Sequence, residues 1–416
     1  MQTEIGVTFP QPAVPPRPAK QINPKIQGRR LSSYNQNIIQ QPQSQNMKFR
    51  WIENNTMLGT PPYERAGHSA ILTSSKELII YGGHDASNNK LNDLVIYNMQ
   101  TNFFNNAVPM NKLIVLHKGK LELHSNYKFG DKVPFSPQQE LTPPPPPRAY
   151  HTAVLKDSFM IVFGGCPAEI EGPLYFLHLP TKTWLKFVTP NCPSEVKIPR
   201  SHHTANMNGD EMLIYGGING VTPLSSLISF NTNKFKWTLI SNKLPAVCKH
   251  SSFIKDEILY IIGGATENGN NNFLAIDIKS GTVLQNGASA FPQLQLNLRL
   301  LATAYDPSRN WLYIFGGFCV ENDETECGCT DKLYIIDMNK KTYGYINSPL
   351  LKCPSPRCGH TMVLAGNNLV VFGGCDRLPL LNGEWVFCDF SNTINIFQPP
   401  PPDVDVSQIR DLIKWA

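Results

Sequence analysis

The sequence predicts an all-β protein built from six repeated units, and three observations predict it. The first is a phrase that the chain repeats. RAYHTAVLKDSFMIVFGG at 148–165 returns as RAGHSAILTSSKELIIYGG at 65–83, RSHHTANMNGDEMLIYGG at 200–217 and RCGHTMVLAGNNLVVFGG at 357–374. Two altered copies, VCKHSSFIKDEILYIIGG at 247–264 and RLLATAYDPSRNWLYIFGG at 299–317, complete the set. The second is period. The glycine pairs are Gly82 with Gly83, Gly164 with Gly165, Gly216 with Gly217, Gly263 with Gly264, Gly316 with Gly317 and Gly373 with Gly374. Their spacings are 82, 52, 47, 53 and 57 residues. Four spacings lie near one value, and the first carries an insertion. The third is the grammar within a copy: a short apolar run, a tight polar turn, a more hydrophobic run, the glycine pair, a variable loop and another apolar run. Short apolar runs bounded by turn residues read as buried strands.

This period, with its strand, Gly-Gly, strand and aromatic order, resembles the kelch repeat over roughly residues 48–398. The resemblance implies a six-bladed β-propeller, a ring of four-stranded antiparallel sheets around a central channel. One blade cannot bury both faces of its sheet alone, so neighbours must stack. A glycine pair at a strand end allows close backbone approach where blades crowd, so all twelve glycines read as structural. The third strands are expected in DLVIYN, LYFLHL, LISFN, FLAID, LYIID and EWVFCD.

Composition agrees. Charged residues make up 17% and hydrophobic residues 41%, as in a chain with a large core. A net charge of +5 is too small over 416 residues to be a nucleic-acid footprint. No apolar run approaches membrane-spanning length, and no secretion signal opens the chain. Ten cysteines at irregular positions then imply reduced thiols and a cytoplasmic protein.

In chain order, residues 1–47 form an arm rich in Pro, Gln and Asn, expected to be disordered or pinned to a partner. KFRWIEN at 48–54 reads as a strand without a blade. Trp51 lies 14 residues before Arg65, as Tyr343 lies before Arg357, so it fits the outer strand of a preceding blade. The preferred reading is that 48–54 latches the ring as the fourth strand of the last blade, with TINIF at 393–397 as its competitor. Truncation to residue 56 is then expected to destabilise the protein, and truncation to residue 44 is not. The insertion between the first two blades, 103–147, carries a plausible hairpin in KLIVLHKGKLELH and ends in a polyproline lead-in. Residues 399–416 read as a polyproline spacer and an amphipathic helix, with Val406, Ile409, Ile413 and Ala416 on one face.

Function is sought in the loops and the channel. The loops after each glycine pair are long and unlike one another, whereas the opposite turns are short, so partners are expected on the long-loop face. Its candidate residues are Cys166, Glu169, Glu171, Asn219, Glu321, Asp323 and Arg377. Arg65, Arg148, Arg200, Arg299 and Arg357 are expected near the channel mouth, where a ring of guanidiniums could hold an acidic ligand. The accompanying histidines repeat too often for a unique catalytic site and read as structural. Cys319, Cys327, Cys329, Cys353, Cys358 and Cys375 should emerge on one face of two neighbouring blades. They read as free thiols or, alternatively, as a tetrahedral zinc site.

Some enzymes use similar propellers, among them copper-radical oxidases, but their Tyr/His ligand set and crosslinked Cys-Tyr cannot be assembled from this chain. No nucleophile elbow, phosphate-cradling loop or HExxH is present. The expected function is a non-catalytic protein-interaction scaffold without a cofactor, in a multi-subunit assembly of cytoskeletal or ciliary kind. Alternatives are a ubiquitin-ligase substrate receptor and a small-molecule enzyme working in the channel. Replacing Arg148, Arg200 and Arg357 together is expected to silence such an enzyme and to spare a scaffold.

Overall fold

The computed structural model describes residues 50–53, 57–106, 113–117, 120–124, 139–142, 144–167, 169, 172–189, 191–271, 273–286, 291, 294, 296–319, 328–346, 354–379, 385–399 and 413–415. These form six antiparallel blades whose innermost strands neighbour one another in a closed ring. The innermost strands are Ser69–Leu72, Thr152–Lys156, Thr204–Asn208, Ser251–Lys255, Ala302–Asp306 and Thr361–Ala365. The one helix among the described residues is Ser194–Lys197, and no helix there is long and apolar enough to cross a membrane.

Period-two alternation makes the ring. Along Glu77–His84, Leu78 and Ile80 point to the sixth blade while Ile79 and Tyr81 point to the second. Each pair of neighbouring blades therefore shares a separate apolar core. The second and third blades share Phe163, Leu174, Met212, Phe230 and Trp237, and the fourth and fifth share Phe253, Phe273, Leu312 and Ile336. Six such cores hold the molecule, one per junction.

The N-terminal segment closes the ring as the fourth strand of the last blade, as the sequence suggested, and only the place of its supposed competitor differs. Residues 50–53 and 393–397 are not competitors. Ile394–Gln398 is the third strand of the sixth blade and Arg50–Glu53 is its fourth, paired in the register Trp51↔Phe397 and Ile52↔Ile396. Trp51 lies 5.2 Å from the ring of Phe315 in the fifth blade and 5.1 Å from Phe397 in the sixth. The segment EWVFCD, read as that third strand, instead gives Trp385–Cys388, which forms a hairpin with Asp376–Pro379 outside the blade. Ile394 and Phe397 are both fully buried and take the core position.

The outer edges of three blades are covered by added strands. Leu58–Gly59 adds in parallel to Phe103–Asn106 of the first blade, and Gln139–Thr142, from the insertion, adds to Thr183–Phe187 of the second. Elsewhere in the insertion Leu113–His117 pairs with Lys120–His124 as a hairpin. The expected C-terminal helix is corrected here. Ile413–Trp415 is a strand, paired antiparallel with Thr342–Ile346 of the fifth blade. An open sheet edge offers main-chain partners that a lone short helix lacks, and Ile and Trp are strand formers. The residues of the N-terminal arm and 400–412 lie outside the described set.

Candidate functional site

The repeated arginine and histidine are set by the backbone of the junctions. In the first blade the strand Glu77–His84 runs through its glycine pair. In the other blades the strand stops short of the pair, as at Phe163, Tyr215 and Phe315, so Gly165, Gly217 and Gly317 lie beyond the strand ends. The expected strand-end position therefore needs correction at the first pair alone. The second glycine of each pair donates its N–H to the next blade. Gly83 donates to Arg148 O (2.9 Å), Gly165 to Arg200 O (2.9 Å) and Gly217 to Val247 O (2.9 Å). Gly317 donates to Arg357 O (2.8 Å), and Gly374 closes the ring to Arg65 O (2.8 Å). Gly82 and Gly83 have φ of 64° and 101°, and a Cβ on Gly82 would come within 2.8 Å of Arg148 O. Only glycine fits that approach.

The arginines turn inward from there, and this overturns the expected ring at the channel mouth. Arg65 is 0% exposed; its Nη1 donates to Gly82 O at 3.0 Å, and it forks onto Asp93 with two contacts of 2.7 Å. Arg148, Arg200 and Arg357 bind Gly164 O, Gly216 O and Gly373 O in the same way. A guanidinium has five donors in a fixed fork, enough to satisfy carbonyls left at a strand end. These buried side chains tie together groups of their own blades and are turned away from a channel ligand, so replacing Arg148, Arg200 and Arg357 would damage a scaffold as well.

Arg299 does not belong to the set at all. Leu298 O, not Arg299 O, accepts from Gly264 N at 2.8 Å, so Leu298 takes the arginine position and Leu301 the histidine position. Arg299 Nε donates to Asn270 Oδ1 at 2.9 Å. The turn before Trp311 is longer than its counterparts, which shifts the motif by one residue against the sequence template.

The histidines bridge blades. Nε2 of His151 shares a hydrogen bond with Ser69 Oγ (2.8 Å), His203 with Thr152 (2.9 Å), His250 with Thr204 (2.9 Å) and His68 with Thr361 (3.0 Å). Each hydroxyl belongs to the preceding blade. Burial holds all these imidazoles well below the ordinary histidine range, to about 3 for His151 and His250.

Between arginine and histidine lies a position that the sequence reading passed over. Gly67, Tyr150, His202, Lys249, Leu300 and Gly359 all have φ between 55° and 64°. Each donates its N–H to the same position in the preceding blade: Tyr150 to Gly67 O (2.7 Å), His202 to Tyr150 O (3.0 Å), Lys249 to His202 O (3.0 Å) and Leu300 to Lys249 O (2.9 Å). Gly359 to Leu300 O (3.0 Å) and Gly67 to Gly359 O (2.8 Å) close the circle. Six identical backbone sites thus carry different side chains around the axis. The signal was present in the sequence as a varying letter before the histidine or, in the fifth blade, before Leu301, but its orientation depends on a left-handed backbone that side chains rarely adopt.

Four of these residues, Tyr150, His202, Lys249 and Leu300, floor a cup on the long-loop face, a cavity of about 530 Å³ also lined by His84, Phe318, Arg377, Phe387 and Phe390. The rings of Tyr150 and His202 stack at 3.9 Å and 18°. The Tyr150 hydroxyl lies 2.8 Å from His84 Nε2. Burial pushes the Tyr150 hydroxyl up and holds His202 down at about 3. Burial also lowers Lys249. Arg377 lies over Phe318 at 4.8 Å and over Phe387 at 5.7 Å. The cup is aromatic, cationic and open on one side, which suits capture of a side chain or a small anion.

The other expected surface residues divide. Cys166 and Asn219 are exposed. Glu169 instead turns its carboxylate inward, 2.6 Å from Arg148 Nη2 and 2.8 Å from the Tyr175 hydroxyl, where it balances a buried guanidinium. Glu171, Glu321, Asp323, Cys327 and Cys353 lie outside the described residues. Cys358 and Cys375 face each other and exchange main-chain hydrogen bonds of 2.8 and 3.1 Å. Cys329 Sγ donates to Cys375 O, and Cys375 Sγ donates to Cys358 O. Cys319 pairs through its backbone with Leu298 at the junction of the fourth and fifth blades. Among the described residues, no group of three or more His, Cys, Asp or Glu is arranged to hold a metal ion. Cys166, Cys248, Cys329, Cys358, Cys375 and Cys388 are free thiols.

A family model described as the KLHDC2/KLHL20/DRC7 Kelch-repeats domain matches residues 131–285. The Rab9 effector protein with kelch motifs of Homo sapiens is 31% identical over 175 residues, 41% of this chain and 45% of that protein. Kelch domain-containing protein 2 of Homo sapiens is 28% identical over 227 residues, 46% of this chain and 53% of that protein. Acyl-CoA-binding domain-containing protein 4 of Arabidopsis thaliana is 24% identical over 237 residues, 55% of this chain but 30% of that protein. The matches span about half or less of the length of these curated relatives.

Proposed function

The chain belongs to the kelch-repeat family, and from that premise we propose that it is a protein-interaction module whose partner enters the cup on the long-loop face. One observation carries this reading. At the axis the fold repeats a backbone site six times, and the sequence fills it with Gly, Tyr, His, Lys, Leu and Gly. A purely structural site would tolerate one residue type throughout, as the glycine pairs do. Variation on a fixed frame, under long loops, is the form of a recognition surface. One relative, the Rab9 effector, is by its name a protein that acts through another protein. The setting is a multi-subunit assembly in the cytoplasm, of cytoskeletal or ciliary kind, with the Asn- and Gln-rich arm as a second point of attachment.

Affinity capture with the intact chain tests it, beside a cup variant (Tyr150→Ala with Lys249→Glu) and a short-turn-face variant (Lys156→Glu with Lys255→Glu). Partners lost from the first variant and retained by the second support the reading. Partners lost only from the second place the interface on the short turns and end the proposal. A form lacking residues 1–47 separates attachment through the arm from attachment through the cup.

A further inference from the structure

Lys249 has an environment unlike that of an exposed lysine. Its main chain is fixed on both sides by the axial ring, through bonds of 3.0 Å to His202 O and 2.9 Å from Leu300 N. Its side chain is half-buried in the cup beside Tyr150, His202, Leu300 and Phe318. The largest influence on its amine is removal from water; the cations Arg299 and Arg377 act in the same direction, against an opposing influence from Cys248. Removal from water and like charge both favour the neutral amine, and only the neutral amine has a lone pair to share. A desolvated lysine next to other cations is the arrangement that makes amines react with carbonyl carbon at neutral pH. Arg377, stacked on Phe318 and Phe387, stands in the same cup to receive an anionic group. The Tyr150 hydroxyl, held by His84 Nε2, is a proton donor and acceptor at the same wall.

We propose that Lys249 is a carbonyl-capture site, whose amine forms an imine with a small aldehyde or 2-oxo acid whose anionic group rests on Arg377. The lone pair of Nζ attacks the carbonyl carbon, and the π pair moves to the oxygen, which takes up a proton. The nitrogen gives up a proton, the carbinolamine loses its hydroxyl as water, and the C=N bond forms. The net change is amine plus carbonyl to imine plus water, with no oxidant or reductant. The capture needs no protein partner, so it stands or falls separately from the reading of the cup as an interface.

Intact protein is incubated with glyoxylate at neutral pH, the imine is fixed with borohydride, and labelled lysines are located by peptide mass spectrometry. Lys249 is expected to be labelled at least about tenfold faster than the exposed Lys243 and Lys279, because burial in the cup favours its neutral, nucleophilic amine. Labelling no faster than at those two positions overturns the proposal, and this readout needs no variant. Arg377→Gln should slow capture of glyoxylate more than capture of propionaldehyde, which loses only the neighbouring positive charge. An equal loss with both reagents, with the thermal midpoint held, overturns the role of the anionic group. Lys249→Arg should remove the fast-reacting site alone.

Discussion

Positions two residues apart in one motif behave as opposites. The arginine and the histidine recur around the ring, are buried, and spend their hydrogen-bonding groups on neighbouring backbone and hydroxyls. The residue just before the histidine changes from blade to blade and faces the cup. The comparison teaches how to read a repeat: recurrence marks what closes the ring, and variation at a fixed backbone site marks what the ring presents. Changes at the first kind of position should cost stability, and changes at the second should alter binding.

The largest effect is expected from acid. His68, His151, His203, His250 and His360 are kept neutral by burial, with His151, His250 and His360 at about 3. In the unfolded chain they titrate at the ordinary value near 6.5. Because the folded value lies lower, the unfolded state takes up the protons as pH falls. Their contribution is therefore whole above pH 6.5 and is lost progressively toward 3. At pH 5.5 each imidazole costs about 1.4 kcal/mol, and five cost about 7 kcal/mol together. Denaturant midpoints at pH 7.5 and 5.5 check this. Equal midpoints would show that the imidazoles do not govern closure.

Next comes the direct contrast of the two kinds of position. Arg65→Met removes a buried guanidinium from two carbonyls and Asp93, and should cost about 3–5 kcal/mol. Lys249→Met, in the same ring of motifs, should stay within about 0.5 kcal/mol of the parent. Similar losses in the two variants would erase the distinction between frame and cup.

Much of the frame was legible because the physics of a buried strand is local. MIVF or LIIY between a polar turn and a glycine pair can hardly do anything else, and five of six third strands followed from the same reasoning. The errors share another cause. Arg299 was aligned by its chemistry, whereas the blade aligned it by main-chain hydrogen bonds counted from Gly264. Trp385–Cys388 looked like a blade strand because its composition is right, and only competition with Ile394–Gln398 for one edge decides the matter. Ile413–Trp415 lacked any cue for its partner, which lies some seventy residues away in sequence. The cup was invisible because no local rule says that the residue before a histidine adopts a left-handed backbone. That conformation follows only from the closed circle of six blades.

The two chain-end strands sharpen the same contrast at lower energy. Arg50–Glu53 completes the sixth blade, whereas Ile413–Trp415 adds a fifth strand to a blade already complete. Trp51 packs on both Phe315 and Phe397. Trp51→Ala should cost about 2–3 kcal/mol, at or below the low end for a large aromatic because the ring is only half-buried. Deleting residues 413–416 should cost less, since every strand of the four-stranded core remains paired. A larger loss from the C-terminal deletion would reassign the latch.

The smallest effect is a gain, and it tests the junction rule where the chain itself breaks it. In the fifth blade Leu301 replaces the histidine, and Ala302 replaces the Ser or Thr that receives the next blade's histidine. Both halves of the pairing are thus missing on one blade. Ser251, whose hydroxyl has no imidazole to meet, turns to Thr303 Oγ1 at 2.7 Å. On the other side His360 is buried with no hydroxyl to share, and its Nε2 has no hydrogen-bond partner among the described residues. Ala302→Ser restores the missing oxygen at the place that Ser69, Thr152 and Thr204 occupy in other blades. A hydrogen bond made to a buried group left unsatisfied should stabilise the fold by about 1 kcal/mol. The companion change His360→Leu in that background should abolish the gain, because the new hydroxyl would then face an apolar group. Urea midpoints of the parent, the two single variants and the double variant close the cycle. If Ala302→Ser destabilises in both backgrounds, the histidine–hydroxyl bridge is not what joins these blades.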